Sequence, residues 1–209
     1  MNYCVLIPTI NRKDLLTEAL NCYKDLIPDV NIYILDNGNQ NINVPAENIK
    51  CHVRTENLGV AGSWNYLINL AISEGYEYFL ILNDDVILKK PSGVISQIIE
   101  RYGENIMHIP KHFYHMSAFI LSKKIFMQVG EFDENFKKCF FEDNDYKYRV
   151  KLAGFEITYR DELGSEVFRN SQTIELNPLL GGYIENKEYY IKKWGGIPTE
   201  EQYKTPFNA

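Results

Sequence analysis

The 209-residue chain reads as an α/β protein with a mostly parallel central sheet flanked by helices. Three observations predict this. Short apolar runs of strand length recur at Tyr3–Pro8, Asn31–Leu35 and Tyr78–Leu82. Stretches with helical spacing of apolar residues separate them. The alternation itself implies βαβ units, whose crossovers set strands parallel.

Each element follows from its own pattern. Tyr3–Pro8 (YCVLIP) is a buried strand ended by proline. Asn11–Leu26 is a helix through Leu15, Leu16, Ala19, Leu20 and Tyr23. Asn31–Leu35 is a strand that Asp36–Gly38 (DNG) turns, and a polar irregular loop runs from Asn39 to about Asn48. Lys50–Arg54 is a third strand, and Val60–Ser73 is a helix through Ala61, Trp64, Leu67, Ile68 and Ala71. Tyr78–Leu82 (YFLIL) is a strand with Asn83, Asp84 and Asp85 at its end. Pro91 opens a helix to about Tyr102, and Ile106–Ile109 and Phe113–Leu121 are strands. Ser122 caps a short helix that stops near Gly130. Glu142–Ala153 is a helix with acids in its first turn and Gly154 past its end, as the macrodipole favours. Phe155–Tyr159 is the last strand, Asn186–Lys193 a short helix, and Gly195–Ala209 an irregular tail.

Composition narrows the function. Hydrophobic residues are 45% and charged residues 24%, values of a soluble globular domain and not of a disordered chain. The balance of 22 basic and 28 acidic residues gives −6, which speaks against a general nucleic-acid or anionic-membrane binder. Cys4, Cys22, Cys51 and Cys139 form no CxxC pair and read as reduced thiols of a soluble cytoplasmic protein. No run approaches the roughly 20 apolar residues of a membrane span, and Cys4–Pro8 is too short for a signal peptide. The 15 tyrosines suit packing first, although tyrosine also stacks on sugars.

Open parallel sheets hold ligands beyond the carboxyl ends of their strands. Thr9, Asn11 and Arg12 follow the first strand, Asp36 the second, and Asp84 and Asp85 the fourth. A nucleotide meets the chemistry of such an edge. Asp36 can accept from a base or ribose, and Asp85 can hold Mg²⁺ or Mn²⁺ bridging two phosphates. An acid after a strand also serves as a turn former or helix cap. For Asp84 and Asp85 the flanking apolar groups YFLIL and Val86-Ile87-Leu88 favour a strand–turn–strand that pushes both acids to one point.

Three further constellations stand out. Phe140-Phe141-Glu142-Asp143-Asn144-Asp145 puts carboxylates at a helix start, as a general base or as a capping cluster with an Asp145–Arg149 pair. Glu56–Asn65 (ENLGVAGSWN) carries two glycines before a helix, where backbone can approach a phosphate or base. It matches neither GxGxxG nor the P-loop, which removes the dinucleotide dehydrogenases and P-loop NTPases. His108, His112 and His115 would share a face of a helix, but Pro110 breaks it, so partly exposed strand or loop histidines are preferred to a zinc site.

Taken in order, CVLIPTINR, ILDNG, ENLGVAGSWN, LNDDV, VGEFDENF and FFEDNDYKYRVKLAGFEITY resemble the GT-A glycosyltransferases, specifically the family 2-like inverting enzymes, from about Tyr3 to about Thr173. The resemblance implies a GT-A, Rossmann-like nucleotide-diphospho-sugar transferase fold in one catalytic domain over residues 1–209. Its nucleotide half would span about 1–88, its acceptor half about 89–175, and its tail about 176–209. It also implies a UDP- or dTDP-linked sugar donor, rhamnose among the candidates, a glycan or glycoconjugate acceptor, and Mn²⁺ or Mg²⁺.

Carried over by position, the nucleotide-sugar set is Pro8, Thr9, Asn11, Arg12, Asp36, Asn57, Gly59, Asn65, Asp84 and Arg169. Asp85 would be the metal ligand, Asp143 the general base, and Glu142 its catalytic neighbour. Phe132 and Asp133 would shape the acceptor side. Two departures stand out: Asn83 occupies the place of the first DxD acid, and Arg169 stands where many relatives carry a tail histidine. Arg169 can contact diphosphate but cannot ligate metal. A nucleotidyltransferase is disfavoured because PTINRKD lacks a glycine loop, and a non-catalytic binding module has no reason to keep both acid clusters.

Overall fold

The computed structural model describes residues 2–90, 93–111, 116–164, 167–169 and 182–209. In chain order, β1 (Tyr3–Thr9) leads to α1 (Lys13–Leu26), then β2 (Ile32–Asp36), β3 (Ile49–Val53) and α2 (Gly59–Ser73). β4 (Tyr78–Leu82), β5 (Ile87–Leu88) and α3 (Gly93–Tyr102) follow. The second half runs β6 (Ile106–Pro110), β7 (Ala118–Ser122), α4 (Lys123–Val129), α5 (Glu142–Leu152), β8 (Glu156–Arg160), β9 (Phe168–Arg169) and α6 (Tyr183–Trp194).

The main sheet has the order β3-β2-β1-β4-β7-β6-β8 among the described residues. Each neighbouring pair is parallel except the two that involve β7. The expected mostly parallel α/β sheet is therefore the one observed. β7 reverses because the connection from Pro110 to Ala118 is too short for a parallel crossover, which needs a dozen residues or more. β5 and β9 pair apart from it as a small antiparallel ribbon.

Alternation along β1 feeds two cores. Val5 and Ile7 face Leu16, Leu20 and Tyr23 of α1 and Ile95, Ile98 and Ile99 of α3. Cys4 and Leu6 face Trp64, Leu67 and Ile68 of α2, Ile125 and Phe126 of α4, and Tyr146 and Val150 of α5. β2 is buried throughout, and β1 at every position but Pro8, because helices cover both faces. No helix among the described residues is long and apolar enough to cross a membrane.

Local signals set most boundaries. Ser122 Oγ accepts from the Ile125 amide at 3.2 Å, capping α4, and Gly130 ends it at φ 85°. α1 starts at Lys13, two residues later than its periodicity suggests, because Asn11 is left-handed at φ 56°. The tail is more ordered than its composition implies. α6 extends beyond the expected Asn186–Lys193, and the amides of Gln202 and Tyr203 return to the Trp194 carbonyl, each at 3.0 Å. A third apolar cluster, Phe136, Phe141, Tyr190 and Trp194, seats α6 on the domain. Of the expected strand Phe113–Leu121, residues 113–115 lie outside the described residues.

His108 corrects one expectation. It is not a partly exposed histidine but 1% exposed within β6. Its Nδ1 accepts from Arg160 Nε at 3.0 Å, and Arg160 lies over the Tyr102 ring at 3.5 Å. Burial, then the Arg160 charge, push its pKa down to about 4, against Glu156 and Glu162. The unfolded chain therefore protonates first, so this contribution to stability is complete above the ordinary value of 6.5 and is lost as pH falls towards 4. The urea midpoint is expected to fall across that window, and less steeply in His108→Gln, whose amide oxygen still accepts from Arg160. Equal slopes in the two proteins would refute this.

Candidate active site

The carboxyl ends of β1, β2 and β4 bring the first group together. Thr9 Oγ1 donates to Asp84 Oδ2 at 2.7 Å, across 75 positions of sequence. Asp84 and Asp85 sit in the tight turn between β4 and β5, closed by the Val86 amide on the Asn83 carbonyl at 3.2 Å. Both are almost fully buried. Burial raises the Asp84 carboxyl to about 7, the neighbouring Asp85 adds to this, and Thr9 and Arg12 oppose it. Two adjacent carboxylates under strain of like charge suit a hard cation that neutralises them.

Arg12 is buried at the exit of β1. Its Nε and Nη2 donate to Asp14, whereas Nη1 is buried with no hydrogen-bond partner among the described residues. Asp36 is fully buried and organises its own turn: Oδ1 accepts from the Gly38 amide at 3.0 Å and Oδ2 from the Gln40 amide at 2.6 Å. Each oxygen retains acceptor capacity. Gln40 reaches Asp36 at 3.0 Å and Thr9 at 3.4 Å, a neighbour that sequence reasoning missed because it lies in the irregular loop.

The α2 start has a different character from the expected phosphate cradle. Asn57 Oδ1 accepts from the Gly59 amide at 2.9 Å, and Asn37 bonds Ser63 at 2.7 Å. Gly59 is left-handed at φ 69°, and a Cβ there would stand 3.1 Å from the Lys138 carbonyl oxygen. The close approach it permits is that of protein backbone: the Val60 amide donates to the same oxygen at 2.7 Å. Asn65, assigned above to the nucleotide, has its amide directed elsewhere. It donates to the Phe132 carbonyl and Glu134, both at 2.9 Å, and accepts from the Phe132 amide at 2.8 Å.

The second acid group opens α5. Asp143 Oδ2 accepts from Lys147 Nζ at 3.1 Å, and Oδ1 from the Asn144 amide at 2.8 Å. Glu142 is buried, with Oε2 unpartnered among the described residues. Burial, then the Asp143 charge, raise its pKa to about 8. Asp145 is fully buried and structural: Arg149 binds one oxygen at 2.8 Å, and Lys193 at 2.7 Å with Trp194 Nε1 at 2.8 Å bind the other. Asp133, expected on the acceptor side, is held by Lys193 at 2.6 Å and Tyr189 at 2.9 Å. Asp143 lines a cavity of about 320 Å³ walled by Phe140, Phe141, Tyr183, Ile197 and Lys187.

Topology puts both acid groups on one edge. α5 ends where β8 begins, and β8 runs parallel to β6, so α5 starts over the carboxyl edge where Asp84 and Asp85 lie. A ring stack fixes it laterally. Phe119 is the register partner of Ile81 in β4, Trp64 packs on it at 5.2 Å and on Phe132 at 4.9 Å, and Phe132 stacks on Tyr146 of α5 at 3.8 Å.

Arg169 pairs with Ile87 through its backbone, and its side chain lies outside the described residues, as do His112 and His115. No three His, Cys, Asp or Glu side chains gather around a metal-sized point among the described residues. A cation here would therefore rest on the Asp84–Asp85 pair and on substrate oxygens, the mode in which Mg²⁺ uses one or two carboxylates.

The sheet order, with acids after β4 and at the α5 start, has the architecture of a GT-A glycosyltransferase domain. Residues 4–152 match glycosyl transferase family 2, and the chain belongs to that family. Among solved structures it is similar to TarS of S. aureus, with TM-score 0.58, 15% identity, and cover of 84% of this chain and 37% of that one. TarS 1-349 in complex with UDP gives 0.60 and 15%, with 84% and 62% covered. GalNAc-T7 with UDP, GalNAc and Mn²⁺ gives 0.64 and 9%, with 93% and 48% covered. The chain thus spans about 37–62% of the length of these structures. No curated protein matches it.

Glu142 yields a stability test. Its folded pKa of about 8 exceeds the ordinary 4.5, so its contribution is complete below 4.5 and is lost as pH rises to 8. Glu142→Gln keeps a neutral group. Its Tm advantage over the unmutated protein should grow between about pH 5 and about pH 8. A difference that is flat with pH would mean that Glu142 is ionised throughout.

Proposed function

We propose that this domain transfers a sugar, with inversion, from a nucleotide-diphosphate donor to a hydroxyl of a glycan or glycoconjugate. The observation that carries this is Asp143: a carboxylate lining an aromatic-walled cavity, charge-balanced by Lys147, beside a Glu142 that burial keeps protonated. Of the two acids, Asp143 is the one that lines the cavity. Family membership and the UDP bound in the TarS 1-349 and GalNAc-T7 structures support the donor class.

The donor lies along the β1, β2 and β4 ends. Asp36 and Thr9, with Pro8 beside it, take the nucleoside side. The unpartnered Nη1 of Arg12 takes a diphosphate oxygen, a charge-assisted contact that guanidinium favours. Asp85, with Asp84 beside it, would hold Mn²⁺ or Mg²⁺, which would supply positive charge to the diphosphate leaving group. Phe140, Phe141 and Tyr183 offer ring faces to an acceptor sugar. Asp143 takes the proton from the acceptor hydroxyl as its oxygen attacks the anomeric carbon opposite the diphosphate. One displacement inverts that centre.

Two substitutions separate the roles. Asp143→Asn should lower transfer by about 10²–10⁴-fold, the span of a lost general base, with nucleotide affinity kept. Transfer within about twofold of the unmutated rate would sink the assignment. Asp85→Asn should instead weaken Mn²⁺-dependent binding of UDP in calorimetry, and unchanged affinity would count against it. Slow Mn²⁺-dependent release of nucleoside diphosphate without acceptor distinguishes an enzyme from a non-catalytic binding module.

A further inference from the structure

Four hydrogen bonds converge on one side chain that lies beyond the family match, which ends at residue 152. Asn186, in the first turn of α6, is 2% exposed. Its Oδ1 accepts from the Lys137 amide at 3.0 Å. Its Nδ2 hydrogens are shared among the carbonyls of Lys137 at 2.9 Å, Cys139 at 2.8 Å and Phe140 at 3.0 Å.

The backbone it grips is strained. Lys138, Phe140 and Phe141 are left-handed at φ 62°, 81° and 71°, a region that side chains other than glycine disfavour. The run ends at Phe141, which caps α5 without a side-chain cap bond, immediately before Glu142 and Asp143. Such conformations persist only where the surroundings over-determine them. α6 is pressed close to supply that. A Cβ on Gly182 would stand 2.9 Å from the Lys137 carbonyl oxygen, and Gly182 has φ 126°. The Val60 amide also holds the Lys138 carbonyl, at 2.7 Å.

We infer that Asn186 is a positioning residue for Asp143: by holding residues 137–141 on their left-handed path, it aims the α5 start at the acceptor cavity. This rests on the reading of Asp143 as the base. A purely architectural asparagine would affect folding and leave the turnover of folded molecules alone.

The test compares the unmutated 209-residue chain, Asn186→Ala, Asn186→Ala/Lys138→Gly and Asp143→Asn, each assayed well below its own Tm. Asn186→Ala should lower kcat for transfer by about 10–100-fold, the cost of misplacing a catalytic group by roughly 1 Å. UDP affinity should stay within about twofold, because the donor side is untouched. Adding Lys138→Gly should recover part of the lost kcat, since Lys138 is exposed and glycine takes the left-handed path unaided.

If Asn186→Ala leaves kcat within about twofold, or if the glycine restores nothing, the inference is overturned. If Asn186→Ala does not fold, Asn186→Asp replaces it, keeping the acceptor for the Lys137 amide and losing the donors; the same kcat loss is expected, and its absence overturns the inference. Full transfer by Asp143→Asn would instead remove the base reading and the inference with it, an outcome distinguishable from failure at Asn186.

Discussion

The ring stack of Trp64, Phe119, Phe132 and Tyr146 is the contact on which the proposed site depends. It joins α2, β7, the segment before α5 and α5 itself in one continuous apolar block. Stacked or edge-on aromatic pairs add about 0.5–1.5 kcal/mol each beyond their burial and, more to the point, fix angles. Tyr146 lies one turn after Asp143, so seating its ring also seats the carboxylate. Asn65 secures the same junction with polar bonds, holding Phe132 by both amide and carbonyl.

The buried acids are kept apart by what surrounds each. Asp84 shares its edge with Asp85 and is eased by Thr9 and Arg12. Glu142 has no hydrogen-bond partner on Oε2 among the described residues, and burial raises its pKa to about 8. Asp143 has Lys147, whereas Asp145 has Arg149, Lys193 and an indole N–H. A buried charge left without such partners is costly, so the cations and donors around each carboxylate decide what its burial costs. The Asp145–Arg149 pair expected from the sequence is present, and Asp133, which the resemblance puts on the acceptor side, joins Asp145 in binding α6 through Lys193.

Much of the architecture was legible from short-range pattern. YCVLIP, YFLIL and the acidic start of α5 place β1, β4 and α5 within a residue or two, and Ser122 and Gly130 bound α4 as their chemistry demands. The candidate acids after β4 and at α5 were legible too, because strand ends and helix starts are where a parallel sheet offers ligands. Less visible were the burial of His108, the use of Gly59 against Lys138, and the diversion of Asn65 to Phe132. Nothing local distinguishes an amide that faces a ligand from one that faces another loop.

The residues alone therefore settle which segments are strands or helices and which acids stand at their ends, because periodicity, capping and turn chemistry act over a few neighbours. Partnership across the chain is decided only on folding. Thr9 meets Asp84 across 75 positions, Asn65 meets Phe132 across 67, and Asn186 meets Lys137 across 49. Such contacts arise when packed elements bring distant backbone together, and they leave no spacing in the primary structure from which to read them.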